Sequence, residues 1–347
     1  MNDLRSLSWQ ELIQLMEDLG EKKFRAKQIY EWVHQKLVQS YDEMTNIPKS
    51  LKEKLKTRVT FYPIKEVERY VSAIDGTTKF LFELFDGNVI ETVLMKYHHG
   101  NSVCISSQVG CRMGCRFCAS TLDGLTRQLT VSELLNQIYW IQKTTGERVS
   151  NVVVMGTGEP FDNFDHILQF IQMLTDEHGL HISQRNITVS TCGLVPKIYE
   201  LAEKKLAITL AISLHAPNDT MRKELMPIAN KYSIDEILKA CDAYILATGR
   251  RITFEYSLVA GVNDKTEHAK ELASRLSGKL CHVNLIPVNP IKERDYERSA
   301  RESVASFQKV LEKNHINATV RREMGADIQA ACGQLRKSYR DRQKGDV

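Results

Sequence analysis

An α/β fold is what this sequence predicts: an incomplete (β/α) barrel with a small helical N-terminal domain and a β-hairpin extension. Three observations carry that expectation. Apolar residues fall at helical spacing through the first 59 positions, alternating apolar runs then bracket the pair Asp86-Gly87, and from Ser102 onward short β-rich runs alternate with amphipathic helical ones. Repeated β–α units imply a parallel sheet, because each crossover returns the chain to the same end of the sheet.

The helical domain is expected over residues 1–59. Leu12, Ile13, Met16 and Leu19 line one helical face before Gly20, a suitable C-cap. Phe24, Gln28, Ile29, Trp32 and Val33 outline a second helix, and Pro48 opens a third from Ser50 to Lys56. Over residues 60–96 the period changes to two, with Lys79 to Phe85 and Asn88 to Met95 on either side of Asp86-Gly87. An Asp-Gly pair readily adopts the positive φ of a tight hairpin turn, so the two runs read as paired strands.

The barrel core is expected over residues 97–330. Its strands are predicted at Val103 to Ser106, Val152 to Met155, Ile187 to Ser190, Ala207 to Leu214, Ile252 to Val259, His282 to Val288 and Ala318 to Arg321. Amphipathic helices between them include Val131 to Lys143, Phe164 to Thr175, Ile234 to Ala247 and Ser303 to Lys313. In such a barrel the active centre lies at the C-terminal ends of the strands. Residues 331–347 form a separate C-terminal segment with a basic tail.

Composition narrows the class. The chain has 347 residues, 42% hydrophobic and 26% charged, which is ordinary for a soluble globular protein with a sizeable core. No apolar run reaches membrane-spanning length, and Met1 to Gln10 mixes acids and bases unlike a signal peptide. Eight cysteines in so long a chain, several crowded into one loop, point to a reducing compartment, and the cytoplasm is expected. A net charge of +4 is too small to announce nucleic-acid binding by itself. Lys22, Lys23, Arg25 and Lys27, then Lys49, Lys52, Lys54, Lys56 and Arg58, then Arg336, Lys337, Arg340, Arg342 and Lys344 nevertheless form three basic runs that a phosphate backbone would suit.

The chemistry begins at Cys111-Arg-Met-Gly-Cys115-Arg-Phe-Cys118, a C-x3-C-x2-C run with no fourth cysteine following it. A closed zinc site or an electron-transfer cluster takes four protein ligands. Three thiolates on one loop can instead hold three irons of a [4Fe-4S] cubane and leave the fourth open to substrate. The competing readings are a zinc knuckle completed by a distant ligand and three incidental thiols. Gly156-Thr-Gly-Glu-Pro160 follows the strand ending at Met155, where its two glycines permit close backbone approach to a ligand. Glu159 is there able to accept from an ammonium group.

Further segments recur in order: Cys104-Ile-Ser-Ser-Gln-Val-Gly-Cys111, Met155 to Asn163, Ser213-Leu-His-Ala-Pro-Asn-Asp219, Asn284-Leu-Ile-Pro-Val-Asn289, and Gly325 to Leu335 around Cys332. Together with the three-cysteine loop they resemble the RlmN family of bacterial radical S-adenosylmethionine (SAM) methyltransferases. The resemblance spans nearly the whole chain. It implies a radical SAM barrel and methylation of adenosine C2 in RNA, at adenosine 2503 of 23S rRNA and adenosine 37 of some tRNAs. It implies a [4Fe-4S] cluster on Cys111, Cys115 and Cys118, with SAM held by Gly158, Glu159, Ser190, Ser213, Leu214, His215 and Asn289. Cys332 would carry the methyl group, Cys104 would resolve the RNA adduct through a transient disulfide with Cys332, and Glu91 would accept the proton. Cys192, Cys241 and Cys281 read as structural.

The family further suggests a one-electron donor such as flavodoxin and a monomeric enzyme. The N-terminal domain with Lys22 to Lys27, and the basic tail after Cys332, are the expected backbone contacts for 23S rRNA or tRNA. Three other readings fit parts of the pattern, one of them a radical SAM enzyme that acts on a protein or a small molecule. C8 methylation of the same rRNA adenine shares the cluster, Cys104 and Cys332, and a non-catalytic, metal-stabilised RNA-binding protein would use the cysteines as zinc ligands.

Overall fold

The computed structural model describes residues 3–98, 100–291, 293–330 and 333–334. Cys332 and the basic tail from Arg336 to Lys344 lie outside them. The N-terminal domain is three helices, α1 (Trp9–Asp18), α2 (Phe24–His34) and α3 (Lys49–Arg58). Ser8 and Glu11 cap α1 reciprocally, satisfying backbone donors that the first turn would otherwise leave free. Leu12, Met16, Ile29, Tyr30, Val33, Leu51 and Leu55 form a core separate from that of the barrel.

Three strands follow: β1 (Lys65–Val71), β2 (Thr78–Glu83) and β3 (Val89–Tyr97). The expected hairpin is β2–β3, with Thr78 opposite Leu94 and Glu83 opposite Val89. Lys65-Glu-Val-Glu-Arg-Tyr-Val71 adds a further antiparallel strand, partly exposed and too charged to show as an amphipathic run. The hairpin is not a free-standing appendage either. β3 pairs antiparallel with β4 (Gly100–Cys104), so the extension is one edge of the main sheet.

Beyond β4 come the short pair β5 (Gln108–Gly110) and β6 (Leu125–Gln128), then α4 (Val131–Thr145) and β7 (Val149–Val154). The alternation continues through α5 (Phe164–Thr175), β8 (Ile187–Thr191), α6 (Val195–Lys204), β9 (Thr209–Ser213), α7 (Asp219–Leu225) and α8 (Ile234–Thr248). It closes with β10 (Ile252–Leu258), α9 (Thr266–Leu276), β11 (Cys281–Pro287), α10 (Arg301–Lys313) and β12 (Ala318–Val320). The ten-stranded sheet runs β1-β2-β3-β4-β7-β8-β9-β10-β11-β12 and does not close on itself. From β4 to β12 every neighbour is parallel, giving the open (β/α) barrel. Strand β4 starts earlier than expected and stops at Cys104, because Ile105 to Gln108 turn away to bond the backbone at Gly156 and Thr157.

The helical domain docks on α4. His34 Nδ1 lies 2.7 Å from the Tyr139 hydroxyl, with both side chains buried. Burial pushes His34 down to about 3, helped by the Arg5 charge, so the contact holds a neutral imidazole. No helix among the described residues is long and apolar enough to cross a membrane.

Candidate active site

The loop that carries Cys111, Cys115 and Cys118 is closed at its base by backbone. Gly110 has φ +77°, and a Cβ there would lie 2.0 Å from the Gly124 carbonyl oxygen, so only glycine fits. The adjacent Cys111 N–H donates to that same carbonyl at 2.9 Å. Within the loop, Thr121 Oγ1 donates to the carbonyls of Cys115 (3.1 Å) and Cys118 (2.9 Å). Cys111, Cys115 and Cys118 all line one cavity of about 150 Å³ at the C-terminal ends of the parallel strands. Burial pushes the Cys111 thiol up to about 12 and Cys115 well above the usual range. Thiols in this setting become thiolates when a metal compensates their charge, so the donor set fits a bound cluster.

Gly156, Gly158 and Glu159 line the same cavity as the three cysteines. Gly158 has φ +116°, and a Cβ would come within 2.6 Å of Ser107 Oγ and 2.7 Å of Gln108 Cβ. Thr157 O accepts from Ser107 N and Gln108 N, and Glu159 N donates to Gln108 Oε1 at 2.8 Å. The Glu159 carboxylate is buried and accepts from Phe161 N at 3.0 Å and Cys192 N at 2.7 Å. Burial pushes its pKa up and these donors oppose the rise. The carboxylate thus cross-links two strand ends as well as facing the cavity, a positioning role that its sequence context did not announce.

Ser190 and Ser213, at the ends of β8 and β9, stand 3.3 Å apart through their hydroxyls and also line the cavity. His215 has φ +56° and is buried, and its ring meets the Phe117 ring edge to face at 4.7 Å. Asn289 borders the cavity just beyond β11. The Leu214 side chain is placed differently from those of its neighbours Ser213 and His215. That side chain is in the core, and its carbonyl accepts from Arg222 Nε at 3.1 Å. Alternation along β9 turns residues on either side of Leu214 toward the cavity and Leu214 itself away.

A second cavity, about 40 Å³, adjoins the first and shares Met155, Ile286, Asn289 and Arg321 with it. Cys104, Met324 and Ala330 line it, with Arg298 and Arg322 at its border. Cys104 is buried opposite Val93 of β3, and Glu91 lies on the same face of β3 as Val93. Glu91 is buried, not the exposed acid typical of a hairpin strand, and its carboxylate is 3.4 Å from Lys79 Nζ. No disulfide occurs among the described residues. The expected partner of Cys104, Cys332, lies outside them. The flanks of Cys332 are described: Ala330 borders the second cavity, while Gly333 borders the first and accepts from Ala119 N at 2.8 Å.

Several residues at these cavities escaped the sequence reading. Glu255, a carboxylate in the middle of β10, lines the first cavity and accepts from Asn284 Nδ2 at 2.9 Å. An acid inside a buried apolar strand was the available signal. Arg222 is fully buried and donates to the carbonyls of Cys192 (2.6 Å), Leu214 and Ser213, fastening the ends of β8 and β9 behind the cluster loop. Of the N-terminal basic run, Lys23 pairs with Glu17 at 3.0 Å and Lys27 with Glu31 at 3.9 Å, so part of that charge is neutralised within the domain.

Residues 2–61 match the ribosomal RNA large subunit methyltransferase N-terminal domain, and residues 105–273 match the radical SAM superfamily. Over 98% of its length the chain is 62% identical to a probable dual-specificity RNA methyltransferase RlmN of Lachnoclostridium phytofermentans, covering 96% of that protein. It is 64% identical to the protein of the same name from Lachnospira eligens, across 98% of this chain and 97% of that one. The crystal structure of a radical SAM methyltransferase from Sphaerobacter thermophilus superposes with a TM-score of 0.93 at 44% identity, covering 97% of this chain and all of that one.

Proposed function

The chain belongs to the RlmN family of radical SAM RNA methyltransferases, and on that premise we propose that it converts adenosine to 2-methyladenosine in RNA through a methylated Cys332. The substrates of this reading are adenosine 2503 of 23S rRNA and adenosine 37 of tRNAs. Carbon 2 of adenine is not nucleophilic, so displacement on SAM cannot methylate it directly. The Cys332 thiolate takes a methyl group from one SAM instead, a reaction that suits nucleophilic sulfur.

A [4Fe-4S] cluster on Cys111, Cys115 and Cys118 would supply one electron, drawn from a donor such as flavodoxin, to cleave a second SAM and provide a radical that removes hydrogen from the S-methyl group. Gly158, Glu159, Ser190, Ser213, His215 and Asn289 would hold that SAM, with residue 214 contributing backbone alone. The Cys332 methylene then bonds to C2. Glu91 takes the C2 proton, and the odd electron of the adduct would pass to a one-electron acceptor, for which the oxidised cluster would serve. The Cys104 thiolate bonds to the Cys332 sulfur, and the electron pair of the broken carbon–sulfur bond stays on the methylene carbon, which takes a proton to become methyl. The resulting disulfide is reduced by external thiols before the next turnover.

The observation that supports this route best is the pair of adjoining cavities. One holds the three cysteines and borders Gly333; the other holds Cys104 and borders Ala330, so the chain on both sides of Cys332 is tied to the two places where its sulfur must act. A flipped or unpaired adenine is the form of substrate that a recessed site can accept.

Nucleoside mass spectrometry tests the reading, on protein-free rRNA fragment incubated anaerobically with reconstituted enzyme, SAM and reductant, beside Cys332→Ala. Formation of 2-methyladenosine by the parent alone is expected. 8-Methyladenosine would move the protein to the sister activity. Unchanged adenosine despite SAM cleavage would sink the assignment.

A further inference from the structure

Lys79 is a buried lysine with no place in the reaction as derived so far. Its ammonium lies 3.4 Å from the Glu91 carboxylate, and the two side chains are 8% and 3% exposed. The pair is diagonal across β2 and β3, Lys79 facing Val93 and Glu91 facing Leu81. The same ammonium donates to the Gln329 carbonyl at 3.2 Å and sits 5.3 Å from the centre of the Tyr70 ring. An ammonium has three protons to donate, and among the described residues the Glu91 carboxylate and the Gln329 carbonyl are oxygen acceptors beside it.

Gln329 is three residues before Cys332. The segment it belongs to is latched to the β1–β2 turn by two further bonds. Gly325 N donates to Asp75 Oδ2 at 3.0 Å, and Ala73 N donates to Asp327 Oδ2 at 3.0 Å. A buried ion pair is poor value as a stabiliser, since desolvating both charges costs about as much as their attraction returns. A lysine in this position is therefore better explained by what it joins than by the stability it adds.

We propose that Lys79 is a positioning residue for adduct resolution: it aims the Glu91 carboxylate while tying it to the docked segment that leads to the carrier cysteine. The proposal rests on the reading of Glu91 as proton acceptor and Cys332 as carrier. Its consequence is that the base and the segment leading to the carrier keep a fixed relation during proton removal, although they are far apart in the chain.

Single-turnover assays of the anaerobic holoenzyme on the rRNA fragment separate these claims, comparing parent, Lys79→Met, Glu91→Gln and the double variant. Three quantities are read: 5′-deoxyadenosine, the covalent RNA–protein adduct on a denaturing gel, and 2-methyladenosine. Lys79→Met is expected to form 5′-deoxyadenosine and adduct as the parent does, but to resolve the adduct at least about tenfold more slowly. Its loss stays within the ~10²–10⁴-fold attributable to a general base. The double variant is expected to be no slower than Glu91→Gln, because Lys79 acts through Glu91. Lys79→Gln, which retains a donor for the Gln329 carbonyl, should trap adduct as Lys79→Met does and guards against a misfolded methionine variant. Parent-rate resolution in Lys79→Met and Lys79→Gln, with Glu91→Gln trapped, overturns the proposal and leaves the role of Glu91 standing. A further slowing in the double variant beyond Glu91→Gln overturns it too. Parent-rate resolution in Glu91→Gln removes the premise itself.

Discussion

His215 Nδ1 accepts a 2.8 Å hydrogen bond from the backbone N–H of Ser257. A backbone N–H can only donate, so Nδ1 carries the lone pair and the ring proton is on Nε2. Burial pushes His215 down to about 3, and the Arg222 charge adds to the shift. The imidazole is therefore neutral throughout the physiological range and offers the cavity a donor, not a proton relay.

His34 shares that depressed value of about 3, against an ordinary 6.5. The sign follows from proton counting. Between pH 6.5 and 3 the unfolded chain binds a proton at each of these histidines and the folded chain does not. Stability therefore falls as pH drops through that window, by up to about 1.4 kcal/mol per pH unit for each group. Thermal melts at pH 7 and pH 5 check this. His34→Gln should show a smaller difference between the two conditions than the parent, and an equal difference would contradict the assignment.

Gly110 and Gly158 make separable demands. Ala at 110 would push a Cβ against the Gly124 carbonyl that closes the cluster loop, so Gly110→Ala should lose most of its iron on reconstitution. Ala at 158 would press on Ser107 and Gln108 instead. Gly158→Ala should keep its iron while SAM binding weakens by roughly tenfold or more, a cost of about 1.4 kcal/mol. Iron analysis with equilibrium binding decides; equal iron loss in both variants would reject the distinction.

Arg222 gives its guanidinium protons to carbonyls of Cys192, Leu214 and Ser213 in a fully buried setting. Arg222→Met strands those acceptors, each worth ~1–3 kcal/mol when left unpaired, so a loss of roughly 3 kcal/mol or more is expected. Urea denaturation measures it. A change below about 1 kcal/mol would mean that the strand ends are held by other contacts.

Cys104 is buried in a small apolar cluster with Val93, Met95, Met324 and Ala330. Removing one sulfur there leaves little to disturb, so Cys104→Ala should fold and bind its cofactors. Its expected defect is chemical: the RNA adduct on Cys332 persists, and 2-methyladenosine falls by about a hundredfold or more. Denaturing gels and nucleoside analysis read both. Parent-level product from Cys104→Ala would remove Cys104 from the reaction.

Legibility in the sequence divided along physical lines. The C-x3-C-x2-C spacing, the glycines at 156 and 158 and the Asp86-Gly87 turn are short-range features, set by what neighbouring backbone can do, and they stood in the expected elements. Amphipathic helices such as α5 matched their predicted limits because burial of one face imposes the period. β1 was missed because its alternating charges leave no apolar stripe.

By itself, the sequence determined the class of fold, the three cysteines that share a loop and the order in which the strand ends would be visited. Each of these depends on residues close in the chain. Only the tertiary structure decided that Glu91 is buried against Lys79, that Leu214 turns its side chain away from the cavity, and that Ala330 and Gly333 border adjoining cavities. Lys79 and Gln329 are 250 positions apart, and what brings them together is the antiparallel edge that joins the hairpin to the barrel sheet. Spacing along the chain encodes which groups are present, whereas their pairing is a property of the order of strands in the sheet, which local periodicity does not carry.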